Sequence, residues 1–356
     1  MSMKSDLLKD AIKKKKAETR EEELSYLRFL ESFSGVPRGT VMVGTRVVWG
    51  FPHIPRIFTL ERGVERNIKS RDVYIEEKID GYNLRIARIK GKIFAFSRGG
   101  FLDSFSTEKA RELRLEKFFE ARPRHILCGE MIGNTPYTKP TKQFDVKFLV
   151  FDIMKEDGDF MGCPKRYELI KKFSLESVPF LGKFKSDDTD SLKRIALSLN
   201  KSRKEGMVIK GTDRKTIAKY VTPNADIEDI ANGASIYLDM PPGFFYQRVL
   251  RSGIFVKEFA LDKQKYAQRL GEAFYSGLTK VLKEASKGNE AYEEFEIVIR
   301  DTSIWQHIRD HMSRGVHLEE VYRREEGEKT RIRFRKKYRK TSRSLKAYLH
   351  GKGITD

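Results

Sequence analysis

The sequence predicts a multidomain α+β protein. Its expected centre is a mixed antiparallel-sheet domain, flanked by a small β-containing N-terminal domain and mostly helical C-terminal domains. Three observations predict this. The 356 residues exceed one ordinary domain. Between residues 67 and 226, short alternating apolar runs interleave with amphipathic helical runs. After Pro223 the texture turns to long helical stretches and then to a basic tail. Hydrophobic residues at 39% suffice for a core, so disorder is not the expected state.

In chain order, Leu7, Leu8, Ala11 and Ile12, then Tyr26, Leu27, Leu30 and Phe33, recur at helical spacing and predict helix over 4–33. Lys13 to Lys16 read as its solvated face. Gly35, Pro37 and Gly39 break that pattern, and "TVMVGTRVVWGF" reads as two short strands about Gly44-Thr45. Residues 73–97 read as a β-hairpin, "VYIEEKIDGYNLRIARI" returning as "KIFAFSR" through Lys90-Gly91. A helix opened by Thr107 follows over 107–120. Strands are expected at 125–132 and 146–154, helices at 164–174 and 190–200, then the strands "GMVIKG" and "TIAKYVT". Beyond Pro223, Phe259, Tyr266, Leu270, Phe274 and Leu278 lie broadly along one helical face. The tail "KTRIRFRKKYRKTSRSLKAYLHGKG" interleaves bases with Phe334, Tyr338 and Tyr348.

Lys plus Arg number 71 against 51 Asp plus Glu, a formal net charge of +20 that attracts polyanions, nucleic acid first among them. Cys128 and Cys163 are too few for a disulfide framework or a zinc site. His307 and His311 lie one helical turn apart with His317 beyond, but no cysteine joins them, and no metal is expected there. The N-terminal stretch lacks a signal-peptide pattern, and no apolar run approaches the roughly 20 residues of a membrane span. An intracellular, cytoplasmic protein is expected.

The chemistry starts in "EEKIDGYNLRI". Lys78-Ile79-Asp80-Gly81 matches K-x-D-G, and five further strings follow in order: "FSRGG" with Arg98, "CGEMIG" with Glu130, "VFDIM" with Phe151 and Asp152, "KEGMVIK" with Glu205 and Lys210, and "IAKYV" with Lys219. The set resembles the motifs of covalent lysine nucleotidyltransferases, the superfamily of polynucleotide ligases and RNA capping enzymes. The types also suit the chemistry unaided. A lysine nucleophile must be neutral, so it needs a partly dry pocket and help in losing its proton. Oxygen ligands such as Glu205 and Asp152 suit Mg²⁺. Fixed cations such as Lys210 and Lys219 suit the charge that builds on phosphoryl oxygens. Phe151 offers a flat face to a purine, Glu130 accepts from ribose hydroxyls, and Arg98 offers a planar fork. Plainer alternatives stand beside these: Phe151 as a core aromatic, Arg98 and Lys210 as strand-end charges, and Asp152 as a residue that orients its neighbours without touching metal.

"GTVMVGTRVVWGFPHIPRIFTLERGVERNI", "EEKIDGYNLRI", "GEMIGNTPY" and the helical, then basic C-terminus resemble the archaeal-type homodimeric ATP-dependent RNA ligases. That resemblance implies four parts: a small β-containing N-terminal domain at 1–66, a nucleotidyltransferase domain at 67–226, a helical dimerisation domain at 227–295 and a basic C-terminal domain at 296–356. It implies ATP and Mg²⁺ (or Mn²⁺) as cofactors. The implied substrate is single-stranded RNA with 5′-phosphate and 3′-hydroxyl ends, and the implied intermediate a lysyl-AMP on Lys78. Glu77, Asp80, Gly81 and Asn83 join Arg98, Glu130, Phe151, Lys210 and Lys219 as expected nucleotide contacts. Asp80 would position the turn and Gly81 admit the triphosphate, while the side chains of Glu76 and Glu77 face solvent and their backbone borders the adenine. Two departures stand out. Ile217 occupies the first place of a K-x-K pair that many relatives carry, leaving Lys219 to act alone or with Lys210. The loop "GNTPY" is shorter than the pattern in relatives. Residues 329–348 are the expected RNA contact. The competing expectations are a GTP-dependent capping guanylyltransferase, a DNA ligase, and a basic RNA-binding protein on a ligase-like scaffold.

Overall fold

A computed structural model describes residues 5–312 and 316–353. The N-terminal unit is helix α1 (Ser5–Lys13) on a four-stranded antiparallel meander of β1 (Ala17–Glu21), β2 (Ser25–Phe29), β3 (Val41–Val43) and β4 (Arg46–Val48). The helix expected over 4–33 therefore ends early. Lys15 adopts a left-handed φ of 55°, and Leu24 and Tyr26 then bury on the alternation of a hairpin rather than at helical spacing. Of the four lysines, Lys14 pairs with Asp10 and Lys16 with Glu31. An extended stretch leads to α2 (Leu60–Asn67).

Two antiparallel sheets follow. In one, β5 (Asp72–Lys78), β10 (Phe180–Lys185), β11 (Gly206–Gly211) and β12 (Ile217–Val221) lie in the order β10-β5-β11-β12. In the other, β6 (Tyr82–Ile89), β7 (Lys92–Ser97), β8 (Ile126–Gly133) and β9 (Val146–Met154) lie in the order β7-β6-β8-β9. The expected hairpin is thus two elements. β6 and β7 pair about Lys90-Gly91, whereas β5 leaves for the first sheet. Four helices, α3 (Ser104–Glu112), α4 (Glu116–Ala121), α5 (Cys163–Lys172) and α6 (Thr189–Lys201), complete this part. Asp103, not Thr107, opens α3 by accepting a hydrogen bond from the Ser106 amide at 2.6 Å. Thr107 is buried and accepts one from the Ala95 amide.

Pro223, at the first turn of α7 (Pro223–Ala234), opens a helical unit completed by α8 (Phe244–Glu258) and α9 (Lys263–Ser286). The last part adds a three-stranded antiparallel sheet of β13 (Tyr292–Ile299), β14 (His317–Glu326) and β15 (Lys329–Lys337) in the order β13-β15-β14. Helix α10 (Ser303–Met312) connects its first two strands, and α11 (Arg339–Leu349) closes the chain. The basic tail is therefore a strand followed by a helix. One apolar cluster joins the second sheet to this last sheet, through Leu84, Ile86 and Met131 on one side and Phe295, Ile332 and Phe334 on the other. His311 packs edge-on against Phe101, and no cluster of three or more metal-ligating side chains occurs among the described residues.

Candidate active site

β5 and β6 are consecutive in sequence but belong to different sheets, and Ile79-Asp80-Gly81 is the crossover between them. Lys78 is the last residue of β5, at the mouth of the cleft that the two sheets enclose. Strand alternation sets the faces. Val73, Ile75, Met207, Ile209, Ala218 and Tyr220 point to one side and pack under α2 and α6. Register then places Glu76, Val208 and Lys219 in one row across β5, β11 and β12 on the cleft side. Lys78 shares that side with Glu76. Its Nζ lies 2.6 Å from either carboxylate oxygen of Glu205, the residue just before β11.

The facing sheet contributes Asn83 and Glu130, register partners on β6 and β8, and Arg98, one residue past β7. Phe151 reaches the cleft because β9 bulges there. Cys128 pairs with Asp152 and Gly129 with Val150, which leaves Phe151 as the extra residue. The cleft wall brings together Glu77, Lys78, Asn83, Arg98, Glu130, Phe151, Asp152, Lys210 and Lys219. Gly81 is needed for a different approach from the one expected. A Cβ there would sit 2.7 Å from the Met131 carbonyl and 2.8 Å from Glu130 Cγ, so glycine lets the crossover close onto β8. Asp80 lies exposed at the mouth.

Beneath the cleft lies a charged cluster that sequence reasoning missed. Glu76 is 1% exposed rather than solvent-facing. It pairs with Arg166 of α5 and lies 2.7 Å from Lys210 Nζ, and it accepts a hydrogen bond from the Tyr167 hydroxyl at 2.5 Å. Asp152 is fully buried and accepts from Arg166 at 3.0 Å, Lys210 at 3.1 Å and Arg214 at 2.7 Å. Burial works to raise the Asp152 carboxyl, but Arg214, Lys210 and Arg166 hold it well below the usual carboxylate range. Both oxygens are thus committed, and the metal contact expected of Asp152 does not fit. Arg166 and Lys210 also donate to the Phe151 carbonyl, so the cluster fixes the bulge that presents the ring. Lys210, 1% exposed and neutralised here, is not free for a phosphate. Arg214 makes its contacts from a loop position with φ +65°, a left-handed conformation that costs an L-residue about 1–2 kcal/mol. The one sequence signal for this cluster was alternation, which places Glu76 on the face of Lys78.

The N-terminal unit also enters the site. Residues 55–57 run beside β12, with the Lys219 amide donating to the Pro55 carbonyl at 2.9 Å and the Ile57 amide to the Lys219 carbonyl at 3.0 Å. Phe51 and Ile54 thereby line the cleft, and Phe51 meets the Phe151 ring edge to face at 5.3 Å. Arg98 is steadied by His53 Nδ1 at 3.1 Å. Fully buried Arg85 donates to the Trp49 and Ser97 carbonyls at 2.6 Å each, joining the two units beside Arg98.

Comparison with known proteins fits this geometry. The RNA ligase family model matches residues 71–221, which hold both sheets, and a model of the C-terminal region of the ligase Pab1020 matches residues 233–352. An uncharacterised protein of Methanocaldococcus jannaschii is 30% identical over 97% of this chain and 93% of its own length. The chain belongs to the RNA ligase family. A solved archaeal ATP-dependent RNA ligase superposes on this ligase-family chain with a TM-score of 0.89 at 28% identity, over 99% of this chain and 97% of the other. A provisionally named ATP-dependent DNA ligase of Aquifex aeolicus superposes at 0.93 with 31% identity, over 99% and 100%.

The charges in the ligase cleft are unevenly matched. Burial raises the carboxyl of Glu205, while burial together with Glu205 and Asp80 pushes Glu130 up to about 7 against the pull of Lys78 and Arg98. Burial, with Arg56, Lys78 and Arg98 nearby, brings Lys219 down to about 8. Lys219 makes no ion pair among the described residues, so it and Arg98 face the cleft as cations without a carboxylate partner. The loop after β8 docks on its neighbours, with Tyr137 stacked on Tyr82 of β6 at 4.1 Å and its hydroxyl donating to Asp103, which caps α3, at 2.7 Å.

Proposed function

We propose that this chain is an ATP-dependent RNA ligase working through a lysyl-AMP on Lys78. The observation that carries this reading is the Lys78–Glu205 contact at the crossover, 2.6 Å long, inside a cleft that also holds Phe151, Glu130, Arg98 and Lys219. Lys78 Nζ attacks the α-phosphorus of ATP, the bond to the bridging oxygen breaks, and pyrophosphate leaves. Glu205, in contact with Nζ, orients it, and the proton that Nζ must lose passes to a phosphate oxygen or to water. Lys219 and Arg98 stand where anionic oxygens need cations. Phe151 stacks on the purine, and Glu130 accepts from the ribose. The AMP then passes to an RNA 5′-phosphate, and an RNA 3′-hydroxyl displaces AMP to form the phosphodiester.

A divalent metal fits the donor set. Glu205 offers a carboxylate beside Lys78 Nζ, and Glu130 is a second carboxylate in the cleft wall. Mg²⁺ characteristically takes one or two carboxylates plus substrate phosphates. Glu205 would hold it, and when bound it would polarise phosphoryl oxygens. Mg²⁺ is the proposed ion, with Mn²⁺ as a substitute.

The partner proposed is a second copy of this chain, docked through α8 and α9. Tyr246, Val249 and Leu250 form a helical stripe on α8 and are 70%, 48% and 44% exposed, and Tyr275 of α9 is 68% exposed. Gly253 and Gly271 have open space at their Cβ positions, which permits close helix approach. A cytoplasmic location is proposed together with this reading, and no helix among the described residues is long and apolar enough to cross a membrane.

The test is incubation with ATP, Mg²⁺ and 5′-phosphorylated single-stranded RNA. Adenylated RNA and sealed products support the reading. Sealing of DNA ends alone, or label retained from GTP and not ATP, overturns it in favour of a DNA ligase or a capping enzyme.

A further inference from the structure

The C-terminal part sorts its bases into two sets. On β15 the outward Arg331, Arg333, Arg335 and Lys337 all meet carboxylates of the neighbouring strands. Arg331 lies 2.7 Å from Glu296 and 2.8 Å from Glu326, and Arg333 2.8 Å from Glu296. Arg335 lies 3.3 Å from Glu294, and Lys337 2.9 Å from Glu319. These cross-strand pairs neutralise the strand, so the basic run at 329–337 is not the open patch its sequence suggests.

Helix α11 differs. Arg339, Arg343 and Lys346 follow at spacings of four and three residues, so they share one face. All three are exposed, and none makes an ion pair among the described residues. They line a concavity closed on its other side by Ala285, Gly288 and Asn289 at the end of α9. The one acid in its wall, Glu290, lies 3.0 Å from Lys337. The helix is firmly seated. Thr341 is fully buried and donates to Asp239 through its amide at 2.8 Å and its hydroxyl at 2.6 Å, and Leu345 sits in the core under α9. Three cations held on a fixed face of a concave surface match the spaced charges of a phosphodiester chain.

We propose that the groove between α9 and α11 binds the sugar-phosphate backbone of the RNA strand through Arg339, Arg343 and Lys346. This rests on the RNA ligase reading and adds a second grip on the strand outside the nucleotide cleft. None of its lining residues belongs to that cleft, so strand binding and lysyl-AMP formation are separable.

The experiment compares the parent with the Arg339→Gln/Arg343→Gln/Lys346→Gln variant. Binding of a 5′-phosphorylated single-stranded RNA is followed by fluorescence anisotropy across a salt series, and lysyl-AMP formation from ATP is measured in parallel. Three lost phosphate contacts should lower the slope of log affinity against log salt by about 2 and weaken binding on the order of 100-fold at 0.1 M salt. Lysyl-AMP formation should be unchanged, which also shows that the variant is folded. A control, Arg333→Gln, removes a paired base and should leave RNA affinity within about twofold of the parent. Unchanged affinity and slope in the triple variant, or an equal loss in the control, overturns the proposal. A parent that forms no lysyl-AMP would instead defeat the ligase reading.

Discussion

Asp152 and Arg214 are joined by a forked contact in which Arg214 Nη2 lies 2.7 Å and Nε 2.9 Å from the buried carboxylate. Two further cations share that carboxylate, and two of the three cations around it also hold the Phe151 carbonyl. Asp152, expected to touch a metal or to orient its neighbours, anchors the floor beneath the Phe151 ring.

Asp152→Ala should therefore act first on stability. It leaves buried cations unpaired, a loss of about 3–5 kcal/mol, read as a lower thermal midpoint in metal-free buffer. A metal ligand behaves differently: its loss lowers metal affinity and leaves the metal-free melt unchanged.

Lys78→Ala should leave no radiolabel on denatured protein after incubation with α-labelled ATP. Lys78→Arg should behave likewise, because a guanidinium keeps its charge and cannot attack. Lys78→Arg keeps a cation beside Glu205 and should melt near the parent midpoint, which shows that the loss of label is chemical. Label surviving in either variant would place the nucleophile elsewhere.

Lys219 brings a pH dependence. With its ammonium titrating at about 8, the free enzyme loses a phosphate-facing cation as pH rises through that value. The second-order rate of lysyl-AMP formation should fall above about pH 8. In Lys219→Arg that falling limb should disappear from the accessible range, because the guanidinium keeps its proton. The same limb in both proteins would remove Lys219 from the account.

Glu130 gives a stability signature with the opposite sign from an ordinary salt-bridged acid. Its native pKa, about 7, lies above the unfolded value near 4.5. The native state then holds the proton more tightly between those values, so this group's contribution to stability falls as pH rises through the window. Glu130→Gln should be more stable than the parent at pH 8, by at most about 3.5 kcal/mol at about 1.4 kcal/mol per tenfold step in proton affinity. The gap should shrink towards pH 4.5, and ATP use should be impaired at every pH. A variant that melts lower than the parent at pH 8 would contradict the burial argument.

The exposed stripe on α8 predicts assembly. Leu250→Glu should convert a dimer to a monomer in analytical ultracentrifugation while lysyl-AMP formation persists, because Leu250 lies outside the cleft wall. A parent that sediments as a monomer would leave the stripe without its proposed partner.

By itself the sequence determined the α+β class, the strands that carry the motifs, and the order in which their chemical residues occur. Those properties are local, since alternation, turn residues and short strings survive without knowledge of the fold. Tertiary structure decided the rest. Register put Glu76 beside Lys210, and a bulge turned Phe151 into the cleft. The pairing of residues 55–57 with β12, which brings Phe51 and Ile54 to the cleft wall, made the N-terminal unit part of the site. None of these is written in spacing, because each depends on which strands become neighbours. "EEKIDGYNLRI" reads as one continuous strand, yet three residues within it carry the chain from one sheet to the other. Lys78 stands at the cleft because two sheets, not one, meet there.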